Sequence, residues 1–171
     1  MAATMYNELQ GCGRDLLFHT LEELGISFSV GDYNVNTNVQ SSDIRGTFCK
    51  NLLLKDRKSQ FYLVICHSNH SVCLKMLKSK LSAHRNFSFA SDADLMRILR
   101  VKPGAVTPFG LLYQSEPNIR VIIHECLSEH DRILHFHPFV HDKTLPISFS
   151  DLNMFISHCG FQVEIHDFIV K

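Results

Sequence analysis

Residues 51–67 have the sequence NLLLKDRKSQFYLVICH, in which two apolar runs flank a short charged segment. The runs Asn51–Asp56 and Phe61–His67 contain the aliphatic and aromatic residues that strands favour, whereas the residues between them are polar. This pattern predicts a β-hairpin, because antiparallel strands can be joined by a connection of only a few residues. The chain is therefore expected to contain a β-sheet that includes these two strands.

Helices and further strands are predicted on both sides of the hairpin. Leucines spaced three and four residues apart predict a first helix ending at Gly25, and Ser91 followed by Asp94 predicts a capping box for a later helix. Two more helices are expected through residues 72–81 and 152–156, and further strands at Ile26–Val30, Phe87–Phe89, Phe109–Tyr113, Ile119–Glu125, Arg132–Phe136 and Phe161–Ile165. Residues 31–38 are rich in asparagine and predict a loop. This order of elements indicates an α+β fold with a mixed, largely antiparallel sheet.

The length of 171 residues suits a single domain spanning residues 1–171 with one substantial core. No stretch approaches the roughly 20 apolar residues of a membrane span, and the N-terminus lacks the basic and apolar segments of a signal peptide. The six cysteines are dispersed without a C-x-x-C pair, as in proteins whose thiols stay reduced. We therefore expect a cytoplasmic protein without a membrane partner.

The charge balance argues against a protein that binds nucleic acid through a strong overall field. The chain has 17 basic and 17 acidic residues, so any affinity for a polyanion depends on local clusters. Basic residues are concentrated in two stretches: Lys55, Arg57 and Lys58, and Lys75, Lys78, Lys80, Arg85, Arg97, Arg100 and Lys102. If the two stretches share a face, they would hold a few phosphates weakly, whereas as separate helix faces they would only be solvated.

Two loops contain residue types that suit a binding site for a small molecule or the end of a nucleotide chain. Cys49-Lys50-Asn51 places a cation and an amide at the start of an apolar strand. Residues 102–110, KPGAVTPFG, form a loop that two prolines stiffen, and its glycines allow backbone N–H groups to face a ligand. The same loop would also serve as a tight connection between a helix and a strand.

Four segments of the chain together resemble one known family. They are Phe48–Asp56, Phe87–Ser91, the Gly104-x-x-x-Pro108 loop and Phe136-His137-Pro138. In order and spacing they are similar to the YbaK aminoacyl-tRNA editing superfamily, which includes bacterial-type prolyl-tRNA deacylases and prolyl-tRNA synthetase associated domains. The resemblance covers nearly the whole chain and implies a YbaK-like sheet curled toward a barrel, with helices packed outside.

The resemblance also implies catalytic roles for three residues. The lysine that Lys50 matches is essential for editing in the family, and a point charge suits a reaction that builds negative charge beside a phosphodiester. Asn51 can both donate and accept, which suits the orientation of an amino group or a ribose hydroxyl. His137 matches the histidine of the Phe-His-Pro motif and would position a water or exchange a proton. Each also has an ordinary structural alternative: a strand-end lysine, a turn residue and a core histidine.

The loop after Pro103 is expected to bind the substrate. By resemblance it supports the terminal adenosine and the aminoacyl group, through Gly104, Ala105, Val106, Thr107, Pro108 and Phe109. Two departures from the family affect its surroundings. Residues 31–38 lack the histidine-proline pair, followed by a threonine and a short helix, that is expected in most relatives, and His141-Asp142-Lys143 stands where relatives commonly have asparagine.

Metal and thiol chemistry are the other possibilities that the sequence raises. His135, His137 and His141 suggest zinc, because alternate residues of a strand share a face. The deacylases that the chain resembles are not regarded as metal enzymes, so neither a metal nor another cofactor is expected. Cys49 is expected to be a small buried side chain rather than a nucleophile.

The activity that the resemblance implies is metal-independent hydrolysis of the ester between a wrong amino acid and the 3′ end of a tRNA. Alanine on proline tRNA is the leading substrate, and serine or cysteine esters are alternatives because residues 31–38 and 139–143 depart from the family. The implied partners are the tRNA acceptor end and an aminoacyl-tRNA synthetase or multi-synthetase assembly. A non-catalytic module that binds tRNA ends or joins a synthetase is the alternative from a different class.

Overall fold

The computed structural model describes residues 2–33, 45–84, 86–113 and 118–170, with side chains from residue 11 onward. The helices are α1 (Ala2–Glu23), α2 (Leu74–Leu81), α3 (Asp92–Leu99) and α4 (Phe149–His158), and short 3-10 helices cover Pro108–Tyr113 and Glu125–Leu127. The strands are β1 (Gly31–Asp32), β2 (Thr47–Lys55), β3 (Phe61–His67), β4 (Ser88–Phe89), β5 (Ile119–His124), β6 (Ile133–Phe136), β7 (Lys143–Ser148) and β8 (Val163–His166). None of these helices has both the length and the apolar character that a membrane span requires.

The strands form one mixed sheet, with eight strands in the described part of the chain. Its order is β1-β7-β6-β2-β3-β5-β8, and β4 pairs with the last residues of β2. Four pairings are antiparallel, β1–β7, β2–β3, β2–β4 and β6–β7, and three are parallel, β2–β6, β3–β5 and β5–β8. The predicted α+β class and mixed sheet are confirmed, although the sheet stays open between β1 and β8 and does not close into a barrel.

The predicted hairpin is confirmed as β2 and β3. The two strands pair in antiparallel register from Cys49 opposite His67 to Lys55 opposite Phe61. Their side chains alternate between two apolar cores, because successive residues of a strand point to opposite faces. Helices cover both faces: the larger core includes residues of α1, α3 and α4, and the smaller core includes residues of α2.

The turn of the hairpin is organised around the buried carboxylate of Asp56, which is 7% exposed. One of its oxygens accepts hydrogen bonds from the backbone amides of Lys58 and Gln60, at 2.8 and 3.1 Å. The other accepts from the hydroxyl of Tyr62 at 3.2 Å and from the backbone amide of His84 at 3.3 Å. Burial alone would raise the pKa of Asp56, but these hydrogen bonds to the charged form lower it overall.

The predicted ends of two helices are confirmed. α3 begins with a capping box in which the Ser91 side chain accepts from the amide of Asp94, and the Asp94 side chain accepts from the amide of Ser91. α1 ends at Glu23, and Gly25 follows with φ of +69°. Glycine adopts that angle without the steric cost that a Cβ would bring.

Two predicted strands differ from the structure, and two observed strands are not predicted: β7, and β1, whose residues Gly31–Asp32 belong to the segment predicted as a loop. Ile26–Val30 is not a strand in the described chain, because its alternation reflects packing against α1, where Phe28 stacks on Phe18 with ring centroids 4.9 Å apart. The predicted strand Phe109–Tyr113 is a 3-10 helix that begins at Pro108, whose fixed φ suits a first helical turn. The sequence analysis does not predict β7, since Pro146 lies inside it.

Candidate active site

A cavity of about 230 Å³ lies where the start of β2 meets the loop after α3. Its lining residues are Cys49, Lys50, Asn51, Gly104, Val106 and His137. The fold therefore brings together three distant parts of the sequence: the first half of β2, the loop 102–110 and the residue that follows β6. All three of the predicted catalytic residues are at this cavity.

Strand alternation determines how β2 contributes to the cavity. Asn51 pairs with Ile65 of the larger core, whereas Lys50 pairs with Cys66 of the smaller core. Because opposed residues of an antiparallel pair point to the same face, Asn51 and Lys50 leave β2 on opposite faces. Both are half-buried. The side chains of Asn51 and Lys50 therefore both line the cavity, although they leave the strand on opposite faces.

The side-chain amide of Asn51 is fixed by the loop after α3. Its Nδ2 donates to the backbone carbonyl of Val106 at 3.0 Å. The opposite orientation would place Oδ1 against that carbonyl, and two acceptors repel each other. Oδ1 is buried and has no hydrogen-bond partner among the described residues. An unpaired buried acceptor costs about 1–3 kcal/mol, so Asn51 presents an acceptor that a ligand donor would satisfy.

Only part of the loop 102–110 reaches the cavity. Gly104 has φ of +85°, and the following amide of Ala105 donates to the carbonyl of Lys102 at 3.1 Å, which closes the turn. Gly104 and Val106 are cavity residues. The other four predicted loop residues are buried and belong to the packing of the loop: Ala105, Thr107, Pro108 and Phe109. They hold Gly104 and Val106 in place rather than lining the cavity themselves.

Phe109 is the principal anchor of this loop. It is fully buried, and its ring makes edge contacts with Phe136 and Phe155 at centroid distances of 6.0 and 5.5 Å. Burying one large apolar side chain stabilises a fold by about 1.5–3 kcal/mol. The loop is therefore tied to β6 and α4, which limits its movement relative to the cavity.

His137 is held in one tautomer by the backbone. Its Nδ1 lies 2.7 Å from the carbonyl oxygen of Lys143, which can only accept, so Nδ1 carries the proton and Nε2 keeps a lone pair. Burial lowers the pKa of His137 below its ordinary value of 6.5, although the bond to Lys143 opposes this. The ring is therefore neutral at neutral pH and offers one basic nitrogen.

Two further groups that position His137 are missed by the sequence analysis. The Lys143 contact uses a backbone carbonyl, so the residue type gives no signal. Tyr33 meets the His137 ring edge-on, with centroids 5.1 Å apart, and it falls in a segment predicted only as a loop. The rest of the predicted 31–38 loop, from residue 34 onward, lies outside the described residues.

His135 does not share the role of its neighbour. It is 4% exposed, stacks on Phe48 and uses both ring nitrogens: Nε2 donates to the carbonyl of Arg45 at 2.9 Å, and the hydroxyl of Thr144 lies 3.2 Å from Nδ1. A metal would have to displace these bonds. His141 is exposed. The three histidines 135, 137 and 141 thus differ in environment, and His137 alone among them lines the described cavity.

Cys49 lies at the cavity but is poorly suited to nucleophilic attack. Burial raises the pKa of its thiol well above the ordinary range. The thiolate is the reactive form of cysteine, so a thiol kept protonated at neutral pH is inert. The geometry instead presents a base, an ammonium group and an acceptor around a small space, which suits attack by water.

Several residues of the two basic stretches are engaged within the fold. Lys55 and Arg97 both pair with Asp94, at 2.8 and 3.4 Å. The guanidinium of Arg100 lies over the ring of Tyr113, 5.7 Å from its centroid. Arg85 lies outside the described residues. Among the described residues of these stretches, the exposed ones are Arg57, Lys58, Lys75, Lys80, Arg97, Arg100 and Lys102.

Comparison with known proteins finds related sequences and a solved structure with the same fold. The chain is 29% identical over 146 residues to the prolyl-tRNA editing protein ProX of Acetoanaerobium sticklandii, a match that covers 82% of this chain and 88% of that protein. It is 32% identical over 117 residues to the prolyl-tRNA synthetase associated domain-containing protein 1 of Danio rerio, covering 67% of this chain and 62% of that protein.

A solved structure assigned as a candidate trans-editing enzyme for prolyl tRNA synthetase has the same fold. It superposes with a TM-score of 0.69 at 13% identity, over 93% of this chain and 98% of that one. The model of the aminoacyl-tRNA editing domain family matches residues 35–155, which is more than half of the chain. The chain belongs to the aminoacyl-tRNA editing domain family.

Proposed function

We propose that the chain is a trans-editing deacylase that hydrolyses the ester between a wrong amino acid and the 3′ end of a tRNA. The observation that carries this proposal is the unpaired, buried Oδ1 of Asn51 at a small cavity that Lys50 and His137 also line. The names of the two relatives, one a prolyl-tRNA editing protein, agree with it.

Asn51 is assigned to the amino group of the substrate. The α-ammonium group of an aminoacyl ester is a donor without an acceptor, and Oδ1 is an acceptor without a donor. A hydrogen bond to a charged group contributes about 1.5–3 kcal/mol, which is enough to orient the aminoacyl group. The bond from Nδ2 to Val106 keeps Oδ1 turned toward the ligand.

His137 is assigned to the attacking water. Its neutral Nε2 accepts a proton as the water oxygen bonds to the ester carbonyl carbon. The bond between that carbon and the ribose oxygen then breaks, and the ribose oxygen takes up the proton. Free amino acid and tRNA result. The carbonyl of Lys143 keeps Nδ1 protonated throughout, so the base always faces the same direction.

Lys50 is assigned to the negative charge of the reaction. Water attack places charge on the carbonyl oxygen, and the terminal phosphodiester lies close to the same ester. An ammonium group stabilises both without requiring a metal, and the loss of one such electrostatic partner lowers kcat about 10²- to 10³-fold in well-studied hydrolases. The proposed reaction is therefore metal-independent.

The size of the cavity favours a small amino acid. Its volume of about 230 Å³ is below the roughly 300–1,000 Å³ of pockets for drug-sized ligands. A small aminoacyl group fits such a space, while the adenosine and the remaining tRNA stay outside it. We assign alanine on proline tRNA as the leading substrate, with serine and cysteine esters as alternatives, and a prolyl-tRNA synthetase or multi-synthetase assembly as the partner.

The test is deacylation of Ala-, Ser-, Cys- and Pro-tRNA, each on proline tRNA, with chelator present throughout. We expect hydrolysis of Ala-tRNA(Pro), little hydrolysis of Pro-tRNA(Pro), and a loss of at least 100-fold in kcat/KM for Lys50→Ala. His137→Ala is measured in the same assay. Its matched control is His158→Ala, because His158 is an exposed histidine of α4.

Each other outcome decides against part of the proposal. Hydrolysis of the serine or cysteine ester alone would replace the substrate. Turnover that survives Lys50→Ala would mean that the cavity is not the active site. Binding of tRNA without turnover of any ester would identify a non-catalytic module that recognises tRNA ends.

A further inference from the structure

A cluster of side chains outside the cavity has the composition of a metal site. His70, His124 and Cys126 each offer one ligand atom, and these atoms all lie within 4.8 Å of one another. His124 is 6% exposed, and the other two are half-buried. Imidazole nitrogen and thiolate sulfur are the ligands that Zn²⁺ prefers in proteins. None of the three is among the residues that line the 230 Å³ cavity.

The parallel part of the sheet brings these residues together. β3, β5 and β8 are parallel neighbours, so their C-terminal ends meet at one edge of the sheet. His70 follows β3, and His124 is the last residue of β5. Cys126 lies in the 3-10 helix directly after β5, and Asp167 follows β8. Strand ends within a sheet are rigid supports for a binding site.

His70 contributes a nitrogen that has no role within the fold. Its Nδ1 is buried and has no hydrogen-bond partner among the described residues. The ring itself is held in place, because it stacks on His67 with centroids 4.9 Å apart and meets the edge of His124 at 5.9 Å. An unpaired buried nitrogen lowers the stability of the fold, and coordination of a cation would offset that cost.

His124 is already oriented as metal-binding histidines are. Its Nε2 lies 3.1 Å from a carboxylate oxygen of Asp167, which accepts, so Nε2 carries the proton. Nδ1 therefore keeps its lone pair, and it accepts only from the amide of Cys126 at 3.2 Å. A carboxylate behind the distal nitrogen fixes the tautomer and raises the basicity of a ligating imidazole. Coordination would replace one long hydrogen bond.

Cys126 supplies the anionic ligand. Burial raises the pKa of its thiol, while the guanidinium of Arg132 acts in the opposite direction. A coordinated divalent cation removes the thiol proton outright. Ligand atoms of a tetrahedral zinc site are about 3.3–3.8 Å apart, so small side-chain rotations would close a cluster whose ligand atoms lie within 4.8 Å of one another.

We propose that His70, His124 and Cys126 bind one Zn²⁺ at the ends of β3 and β5, with water as the fourth ligand and Asp167 as the positioning residue for His124. The site shares no residue with the lining of the cavity, although Cys126 interacts electrostatically with Cys49 there, and its test measures metal binding rather than ester hydrolysis. Failure of either proposal leaves the other standing.

The test uses the full chain, stripped with chelator and titrated with Co²⁺ as a spectroscopic probe that Zn²⁺ then displaces. We expect one equivalent to bind, with tetrahedral d–d bands and a thiolate-to-cobalt charge-transfer band. Cys126→Ser removes the charge-transfer band, and His70→Ala weakens Co²⁺ affinity at least tenfold. Asp167→Asn weakens it about 10- to 100-fold. Cys12→Ser, at an exposed thiol, is the matched control and changes nothing.

A second measurement, on the native chain, keeps the proposal testable if the Cys126→Ser variant does not fold. In the native chain, Zn²⁺ is expected to protect Cys126 from alkylation while Cys12 reacts at an unchanged rate, as read by mass spectrometry. The proposal is overturned by any of three results: no charge-transfer band in the native chain, a band that persists in folded Cys126→Ser, or equal protection of Cys12 and Cys126.

Discussion

Strand β2 and the turn that follows it treat a buried polar side chain in opposite ways. In the turn, the carboxylate of Asp56 accepts four hydrogen bonds from the turn and from neighbouring segments. In the middle of β2, Oδ1 of Asn51 is buried with no partner in the described chain. Both groups are costly to desolvate, but only one recovers that cost within the fold.

This difference is the one expected between a structural site and the proposed functional one. A buried acceptor whose donors all come from the chain stabilises the turn and has nothing left for a ligand. A buried acceptor that the chain leaves unpaired lowers stability unless something else donates to it. Active sites retain such groups because the ligand completes them. The comparison predicts that mutations of Asn51 in β2 and of Asp56 in the following turn show their effects in different measurements.

Asp56→Ala is expected to give the largest effect, and on stability alone. The change leaves two or more buried donors without an acceptor, which lowers the free energy of unfolding by about 3 kcal/mol. Urea denaturation measures it. Asp131→Ala is the matched control, because the Asp131 side chain is 96% exposed. A loss below 1 kcal/mol would contradict the structural role of Asp56.

The same contribution has a defined pH dependence. The folded-state pKa of Asp56 is below its ordinary value, so its stabilising effect is present above the unfolded pKa of about 3.9 and is lost as pH falls through the folded pKa. The stability difference between the native chain and Asp56→Ala should therefore be constant near neutral pH and shrink in acid. A difference that grows in acid would reverse the sign of the assigned shift.

Asn51→Ala is expected to act on catalysis instead. Losing a hydrogen bond to a charged amino group costs about 2 kcal/mol, or about 30-fold in kcat/KM for the misacylated tRNA. The free energy of unfolding should change by less than about 1 kcal/mol, because one bond to Val106 is lost together with one unsatisfied acceptor. Asn153→Ala, on the exposed face of α4, is the control. Lost stability with intact kcat/KM would make Asn51 structural.

The pH profile of deacylation tests the proposed base at the same cavity. His137 acts in its neutral form, so kcat/KM should fall tenfold per pH unit below its pKa. Because burial lowers that pKa, the fall should begin below 6.5. His137→Gln should lose this acid limb. An acid limb that persists in the variant would assign the base to another group.

Gly104→Ala is expected to give the smallest effect. A Cβ there meets no atom within 4 Å, so the cost comes only from holding an L-residue at φ of +85°. That cost is about 1 kcal/mol in the free energy of unfolding. Gly11→Ala in α1 is the control, because it also adds a Cβ to open space and should stabilise the helix by about 0.5–1 kcal/mol. Equal effects of the two variants would exclude backbone strain at Gly104.

The elements that the sequence predicts correctly are those with local signals. The hairpin has two apolar runs and a polar turn, and α3 has both halves of its capping box within four residues. The short apolar run Phe109–Tyr113 has no such local signal. Periodicity alone cannot distinguish a buried strand from a helical turn at that length. The proline at its start decides for the 3-10 helix.

The strand β7 is not predicted, because its formation depends on the neighbouring strands rather than on its own sequence. Pro146 pairs with His135 of β6 on one side, while β1 reaches only Lys143 and Thr144 on the other. The proline therefore stands at a sheet edge, where a missing N–H removes no ladder bond. This edge position depends on how far β1 extends along β7, and the residues of β7 do not indicate that length.

The sequence predicts those candidate-site residues whose side-chain type and place in a family motif both indicate a role. Lys50, Asn51 and His137 stand out by type and by family resemblance, and all three line the cavity. The orientation of Asn51 and the tautomer of His137 depend on the carbonyls of Val106 and Lys143. Backbone atoms are the same in every residue, so these two determinants become visible only in three dimensions.

The parallel pairing of β2 with β6 has a consequence for biosynthesis. β2 meets β3 through a short turn, but it meets β6 by joining Thr47 to Leu134 and Phe48 to His135. Local pairings close quickly, whereas contacts between distant residues close slowly because of their loop entropy. A ribosome-bound chain can form its hairpin core well before His137 emerges. The proposed site is thus completed only after residue 137 has been synthesised, and a nascent chain that stops before it lacks the His137 wall of the cavity.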